Sequence, residues 1–409
     1  MFAPPAPVGA PELGRPVGSQ LFCSPVVHSQ PPPVDVAPPE TDFDRSINYA
    51  ADFSGCGHWR MIWPAHIINA HQKGVIHTTT MMILDERYYV STKSVRVQRQ
   101  ATEQQLQFIR LLTEYKKRHN FNIIYEIDDI VFSEDIPDYN KFKAAFVDPK
   151  IRECAMEMMK LVDEITVTNK FMRDYYIDKT GNKSVTVIPN YPPKWWIGNF
   201  YDRNKISRDY QKHKKRPRIA YCASGAHFDV ENRVKQRDDF AHVINAVRKT
   251  ANKYHWVFLG AFPLGLKDLV IEGKIEFHNW RRLYEYPSLV HELDINMLVA
   301  PLQDNTFNRA KSDLKYIEAC CYGLPIACQD ICTYENAPIR FRTGDEMIDQ
   351  IRTTLKHQDK YMTISKSARG IADNRWLEND NNADQYMELY KFPYKDSQRK
   401  RLNSLEQNQ

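Results

Sequence analysis

Residues 294–330 read DINMLVAPLQDNTFNRAKSDLKYIEACCYGLPIACQD, and this stretch decides the predicted fold. The apolar run 295–300 predicts a buried strand, and the polar run after it predicts a loop. Residues 313–322 predict a short helix that stops at Gly-Leu-Pro, and 325–328 predict a second buried strand. Strand, helix and strand in this order are typical of one unit of a parallel α/β sheet.

The predicted helix carries groups that suit a phosphorylated ligand. Lys311 and Ser312 stand at its start, where free backbone N–H groups and an adjacent cation favour phosphate. Lys315 and Glu318 lie one turn apart on one face, and a carboxylate there can accept hydrogen bonds from ribose hydroxyls. A diphosphate and a ribose on one helix describe a nucleotide sugar. The alternatives are a plain N-cap by Ser312 and a surface ion pair between Lys315 and Glu318.

The composition is that of a globular protein large enough for two domains. The chain has 409 residues, of which 42% are hydrophobic and 26% are charged. Without a run of roughly 18 apolar residues or a secretion signal, the sequence predicts a cytoplasmic protein with no integral membrane segment. Eight cysteines without paired CxxC spacing predict reduced thiols, and neither a metal site nor a tightly bound cofactor is expected.

Changes in composition predict six segments. The first holds 11 of the 24 prolines and lacks periodicity, which predicts disorder. In the two predicted domains, apparent strands alternate with apparent helices, which is typical of a doubly wound α/β fold. The segments are a Pro-rich disordered arm (1–44), an amino-terminal Rossmann-like acceptor domain (45–190), a linker with a basic run (191–217), a carboxyl-terminal Rossmann-like nucleotide-sugar domain (218–345), carboxyl-terminal helices (346–392) and a polar tail (393–409).

The second predicted domain resembles the GT-B glycosyltransferases, in particular their GT4-like branch. That family typically shows a strand ending in Ala-Pro-Leu, then Phe-Asn-x-x-Lys-Ser-x-Leu-Lys, a Glu, Gly-x-Pro and Ser or Asp. The matching residues here are Ala300-Pro301-Leu302, Phe307-Asn308, Lys311-Ser312, Leu314-Lys315, Glu318, Gly323-Leu324-Pro325 and Asp330. The resemblance, which spans nearly all of residues 49–390, implies two Rossmann-like domains facing a central cleft. It also implies a carboxyl-terminal helix that packs back on the first domain.

Two shorter runs in the first domain extend the resemblance. The run GCGHWR at residues 55–60 resembles the family's glycine loop, which implies acceptor-side roles for Gly55, Gly57 and Arg60. The run YEIDD at residues 125–129 resembles an Asp-Asp pair at a strand end. The resemblance implies that Asp128 or Asp129 acts as acceptor base or sugar ligand, with Asp128 favoured. The alternative is that these carboxylates cap the turn after the strand.

A third short run opens the second domain. Residues 224–229 read SGAHFD and resemble the family's Ser-x-x-His-x-x-Asp. The resemblance implies that Ser224 contacts the donor and that His227 contacts phosphate or sugar, while a capping histidine is the alternative. Arg233 is a further candidate for the donor phosphates.

The resemblance implies transfer of a sugar from a nucleotide-diphosphate donor, with a UDP-sugar favoured, to a hydroxyl acceptor with retention of configuration. In a retaining reaction the leaving phosphate can take the acceptor proton, whereas inversion needs a base such as Asp128. One position departs from the family pattern. Many GT4-like enzymes carry two glutamates eight positions apart. Glu318 matches the later one, but Ala310 stands at the position of the earlier one, so another group must contact the transferred sugar.

The sequence leaves the acceptor open between a glycan and a hydroxymethylated pyrimidine in DNA, which some bacteriophage enzymes of this fold modify. Basic runs at 212–218 and 116–119 could contact a phosphate backbone. Four tryptophans that look exposed could stack on an extruded base, namely Trp59, Trp63, Trp195 and Trp196. A solvated linker is the alternative reading of the first basic run. A non-catalytic scaffold that uses the Pro-rich arm for assembly is the alternative to an enzyme.

Overall fold

The computed structural model describes residues 45–72, 75–146, 148–229 and 238–391. Over these ranges the chain forms two α/β units, each built on a six-stranded sheet in which every strand pair is parallel. The predicted arm and the predicted tail lie outside the described residues, as does Arg233. The other predicted segment boundaries stay predictions.

The two sheets share one design. The first contains β1 (Arg45–Tyr49), β2 (Ile76–Thr79), β3 (Thr92–Gln98), β4 (Asn122–Glu126), β5 (Glu164–Val167) and β6 (Val185–Val187). The second contains β7 (Arg218–Ala223), β8 (His255–Gly260), β9 (Ile275–Asn279), β10 (Met297–Ala300), β11 (Ile326–Gln329) and β12 (Arg340–Phe341). Their orders are β2-β1-β3-β4-β5-β6 and β12-β11-β10-β7-β8-β9. Each order reverses once, between β1 and β3 and between β7 and β10, and ligands of such sheets bind at the carboxyl edge near that reversal.

Helices connect the strands and cover both sheets. Those of the first unit are α1 (Gly55–Gly57), α2 (Trp63–Gln72), α3 (Glu103–His119), α4 (Lys143–Phe146), α5 (Pro149–Leu161) and α6 (Lys170–Thr180), with a π-helical turn at His58–Ile62. The predicted linker contains α7 (Lys194–Phe200) and α8 (Arg203–Lys212). The remainder are α9 (Ile244–Thr250), α10 (Lys267–Ile271), α11 (Tyr286–Glu292), α12 (Thr306–Arg309), α13 (Leu314–Tyr322), α14 (Gly344–Leu355), α15 (Gln358–Asn374) and α16 (Asp380–Leu389).

Helix α3 shows how local sequence sets an element. Thr102 and Gln105 form a capping box, in which each side chain bonds the backbone N–H of the other. Asn120 ends the helix in the left-handed conformation, with φ of +51°. The 3.6-residue period of the sequence predicts a helix over 102–119 with one apolar face, and the four residues of that face are buried in the first core, namely Leu106, Ile109, Leu112 and Tyr115. This element follows the sequence prediction closely.

The two units and the carboxyl-terminal helices are joined by apolar and polar contacts. Phe307 and Ala310, from the second unit, are buried in the core of the first. Helix α16 packs against α2, and Tyr390 after it donates a hydrogen bond to Asn48 on β1 at 3.0 Å. The predicted return of a carboxyl-terminal helix to the first domain is therefore confirmed.

The predicted exposure of four tryptophans is wrong. Trp59 and Trp63 lie one helical turn apart and pack on Trp196 of α7, and all three side chains are buried. Trp195 is partly buried and stacks on the exposed Tyr284. The sequence could not show this because the partners come from three segments distant along the chain. The cluster joins the two units and presents few indole faces to a nucleic-acid base.

The two basic runs lie at the amino edges of the sheets, since each directly precedes a strand. Arg218 begins β7 and pairs with Glu276 at 2.9 Å, and Lys212 pairs with Asp294 at 2.7 Å. Lys116, just before β4, pairs with Asp163. The ligand crevice of such a fold lies at the opposite, carboxyl edge. Much of the positive charge in these runs is therefore paired and faces away from the cleft.

Candidate functional site

Helix α13 begins beside the point where the order of the second sheet reverses. β10 ends at Ala300, and the chain passes through α12 before it reaches Leu314. Asp313 takes the N-cap position, and its carboxylate bonds Arg375 at 2.8 Å rather than the N–H groups of the helix. The alternative of an N-cap by Ser312 is thus wrong. Ser312 instead accepts a hydrogen bond from Asn190 at 3.0 Å, and the N–H of Tyr316 bonds the carbonyl oxygen of Asp313 at 2.9 Å. Among the described residues, the N–H groups of Leu314 and Lys315 are the first-turn groups left for an anion.

Glu318 lies in a small pocket on α13, one turn after Lys315. Its Oε2 accepts a hydrogen bond from the hydroxyl of Tyr286 at 3.2 Å. Other side chains of the pocket come from β7, β10 and α13, namely Cys222, Leu298, Lys315 and Tyr322. Burial raises the pKa of Glu318 to about 7, against the opposing charge of Lys315. Burial also lowers the pKa of Lys315. Both groups are held in surroundings that disfavour their charged forms.

Lys311 reaches across the cleft from the second unit to the first. Its Nζ lies 3.4 Å from Oδ2 of Asp129 and 4.4 Å from the ring centre of Phe307. Nearby, the side-chain amide of Asn169 donates to the carbonyl oxygens of Ala310 and Lys311. Burial raises the pKa of Asp129, although the charge of Lys311 opposes this. The cleft therefore has a carboxylate on one wall and an ammonium group on the other.

The two adjacent aspartates diverge, as residues at a strand end do. Asp128 points back into the first domain, where its Oδ1 lies 3.6 Å from Nε of Arg99. Arg99 also binds Asp52 at 2.7 Å. Asp129, which the sequence ranked second, is thus the aspartate that meets a residue predicted to bind the donor.

The glycine loop, residues 55–60, follows β1 and requires a glycine at position 57. A Cβ atom on Gly57 would lie 1.8 Å from the carbonyl oxygen of Asp52, so no larger residue fits there. The N–H of Gly57 also bonds the carboxylate of Asp52 at 3.2 Å. By contrast, a Cβ on Gly55 would meet open space among the described residues. Gly57 is needed to close the loop, and Gly55 leaves room beside it.

The acceptor-side role predicted for Arg60 does not fit its position. The side chain is fully buried, its Nε bonds Glu126 at 2.5 Å, and its Nη1 donates to the carbonyl of Ile188 at 2.6 Å. Arg96 binds the same carboxylate. Since these partners lie inside the first domain, Arg60 positions the loop and the start of the linker and cannot contact a ligand.

His227 faces a residue that the sequence analysis missed. Ser224 caps the short turn Gly225–His227 by accepting from the N–H of Ala226 at 3.3 Å. His227 Nδ1 then lies 2.8 Å from Oδ2 of Asp239. Burial, together with the nearby charge of Lys315, lowers the pKa of His227 to about 4.

The sequence pattern predicts a helix over 238–254, and this prediction placed Asp239 inside a helix and away from His227. The observed helix, α9, begins only at Ile244, and the turns before it bring the N–H of Asp239 to 3.2 Å from the carbonyl of His227. The acidic pair Asp238-Asp239 directly before an apolar run was the available signal, because such residues favour turns over helix interiors.

Two further properties concern metal ions and membranes. Within the described ranges, no group of three or more His, Cys, Asp or Glu side chains is arranged to hold a metal ion. In the same ranges, no helix has both the length and the apolar character needed to cross a bilayer.

The fold is similar to that of solved glycosyltransferases. No family model matches the sequence, and no curated protein matches it. The structure of Alr3699/HepE from Anabaena in complex with UDP and glucose superposes with a TM-score of 0.56 and 11% identity, over 85% of this chain and 99% of that one. Its complex with UDP-glucose gives a TM-score of 0.55 and 11% identity, over 84% and 99% of the chains. A glycosyltransferase from Rickettsia africae gives 0.54 and 11%, over 85% and 98%. At this identity the likeness establishes the fold, and the predicted GT-B architecture is confirmed.

Proposed function

We propose that this chain transfers a sugar from a nucleotide-diphosphate donor to a hydroxyl acceptor. The observation that carries the proposal is the grouping on α13 and just before it. Lys311 and Ser312 precede the helix start, and Glu318 lies one turn after Lys315 in a pocket at the sheet's reversal point. A diphosphate and a ribose fit that spacing. Anabaena HepE, which has this fold, binds UDP and UDP-glucose, and this supports a UDP-sugar as donor.

On the donor side, each group has a distinct role. The carboxylate of Glu318 accepts hydrogen bonds from the ribose hydroxyls, while Lys311 and the first-turn N–H groups of α13 bind the diphosphate. Negative charge grows on that diphosphate as the sugar departs, and fixed cations and N–H groups stabilise the growth. Lys311 exchanges its partner Asp129 for the more highly charged diphosphate, which frees Asp129 on the acceptor wall.

For the transfer itself we propose retention, with the leaving phosphate taking the acceptor proton. Ala310 stands at the position of the earlier of the two family glutamates, and it is fully buried against the first domain. A carboxylate there would be buried among apolar groups at high cost, so the sugar hydroxyls must be bound from elsewhere. Among the described groups, Asp129 and His227 suit the binding of the sugar hydroxyls. Gly55 leaves open space for the sugar.

A glycan or another small hydroxyl compound is the acceptor class we propose. Burial of three tryptophans and the pairing of the basic runs remove the features that pointed to DNA. Hydroxymethylated DNA is the second acceptor to test. Its binding would weaken steeply with added salt, whereas binding of a neutral glycan would not.

A thermal-shift screen of UDP-, GDP- and ADP-sugars tests the proposal. A ligand that binds only the native state raises the melting temperature with concentration. We expect a shift with UDP-sugars in the wild type, its loss in Glu318→Ala, and its retention in Glu388→Ala, a control at an exposed position on α16. Release of UDP on addition of acceptor then separates an enzyme from a scaffold. Absence of any shift with all donors would contradict the proposal.

A further inference from the structure

Asp239 sits at the centre of a buried hydrogen-bond network that spans the cleft. Three donors converge on its Oδ1, namely the hydroxyl of Tyr139 at 2.7 Å, the amide of Asn308 at 2.6 Å and the N–H of Gln303 at 3.0 Å. Tyr139 comes from the first unit and the other two from the second. Oδ2 is left to Nδ1 of His227 at 2.8 Å. The carboxylate is almost fully buried.

This arrangement determines which nitrogen of His227 carries the proton. An ionised carboxylate can only accept, so Nδ1 must be the donor. Although burial raises the pKa of Asp239, its hydrogen bond with His227 and its other donors lower it on balance, so it is ionised at neutral pH. The lowered pKa of His227 keeps the ring neutral. Nε2 therefore presents a lone pair, and it has no hydrogen-bond partner among the residues that the structure describes.

The surroundings of the ring indicate what binds to that lone pair. Asp239 bonds both His227 and Asn308, which stands three positions before Lys311. The charges of Lys315 and Lys311 also act on the ring, so it faces the proposed diphosphate site. A neutral ring with an outward lone pair repels phosphate oxygens but accepts from a hydroxyl group. The sugar is bonded directly to the diphosphate, and the acceptor hydroxyl must approach the same bond.

We propose that Asp239 is a positioning residue that fixes His227 as the Nδ1–H tautomer, so that Nε2 accepts a hydrogen bond from a substrate hydroxyl. The inference rests on the proposed function, since the hydroxyl belongs either to the donor sugar or to the acceptor. It replaces the phosphate contact that the sequence allowed for His227 with a hydroxyl contact.

The substitution Asp239→Asn reverses the tautomer with minimal change in shape. Because three donors converge on the Oδ1 position, the amide oxygen must occupy it, which directs the NH₂ group to Nδ1 of His227. The ring proton then moves to Nε2, and the acceptor becomes a donor. The substrate hydroxyl then loses Nε2 as the acceptor for its own proton. Asp238→Asn is the matched control, since the neighbouring carboxylate of Asp238 accepts hydrogen bonds from the backbone N–H groups of Phe240 and Asp229.

The experiment measures binding of UDP, binding of UDP-glucose and steady-state kinetics in the wild type and both variants. We expect Asp239→Asn to bind UDP as the wild type does. A loss of UDP-glucose affinity on the order of five- to tenfold assigns the hydroxyl to the donor sugar. A rise in the acceptor KM of about five- to tenfold, with UDP-glucose binding unchanged, assigns the hydroxyl to the acceptor. Unchanged values for both ligands, or an equal loss of UDP binding, would overturn the proposal.

The ¹⁵N–¹H ring spectrum of His227 in the wild type keeps the tautomer testable if Asp239→Asn does not fold. An unprotonated Nε2 supports the assignment, and a protonated Nε2 overturns it. This spectrum needs no ligand, so its result is independent of the proposed function. If the wild type bound neither UDP nor UDP-glucose, the proposed function would fail while the tautomer was still decided.

Discussion

Two buried carboxylates, Glu126 in the first domain and Glu318 in the second, respond to burial in opposite ways. In the first domain, pairing outweighs burial, and Arg60 and Arg96 lower the pKa of the fully buried Glu126 on balance. In the second domain, burial outweighs pairing, and the pKa of Glu318 rises to about 7 while that of Lys315 falls. Charges that are paired within the protein hold the fold together. Charges held in surroundings that disfavour them are typical of sites that a ligand completes.

The comparison predicts its largest effect at Glu126. Glu126→Gln leaves Arg60 and Arg96 buried without a compensating charge, and this should destabilise the protein by about 3–5 kcal/mol. Urea denaturation measures the change. Glu157→Gln, which removes an exposed pair with Arg110, should cost less than about 1 kcal/mol. Equal costs at the two positions would contradict the structural role assigned to the buried network.

The next effect is expected at the ion pair that bridges the walls. Lys311→Met removes a cation from the proposed diphosphate site, and UDP affinity should fall by about tenfold or more. Asp129→Asn removes the carboxylate that competes for Lys311, so the same titration should show affinity unchanged or slightly higher. If Asp129→Asn weakened UDP binding as much as Lys311→Met did, the proposed exchange of partners would be wrong.

A smaller effect concerns stability and pH at Glu318. With a pKa near 4.5 in the unfolded chain and about 7 in the folded one, Glu318 is protonated more in the folded state between those values. The stabilisation that Glu318 gives the folded state is therefore fully present below pH 4.5 and is lost as the pH rises through 7. Glu318→Gln should match the wild type near pH 4.5 and exceed its stability by about 3 kcal/mol at pH 8. Denaturation curves that differ by a constant amount at all pH values would argue against the raised pKa.

The sequence predicted what depends on local pattern. Helix α3 followed from its apolar period, and the β10–α13–β11 unit followed from the pattern of residues 294–330. The parallel α/β class was a consequence of repeating such units. These features need only neighbours in the chain, which are visible in the sequence.

Predictions from the sequence were wrong or missing where a residue's contact partner is distant along the chain. Arg60 looked available beside two glycines, but its partner Glu126 is 66 positions away. The tryptophans pack on one another across three segments, and Asp239 was placed in a helix that starts later. In each case a long-range contact decided burial or pairing, and no local pattern encodes that contact.

The affinity of UDP measured against pH, for the wild type and Glu318→Gln together, tests the central claim most directly. If ionised Glu318 binds the ribose, wild-type affinity should rise by about thirtyfold between pH 5.5 and 8, relative to the variant. The ionisation of UDP itself affects both proteins equally, so the ratio of the two affinities reports the ionisation of Glu318 alone. Two parallel curves would contradict the account, because they would mean that this carboxylate does not contact the nucleotide.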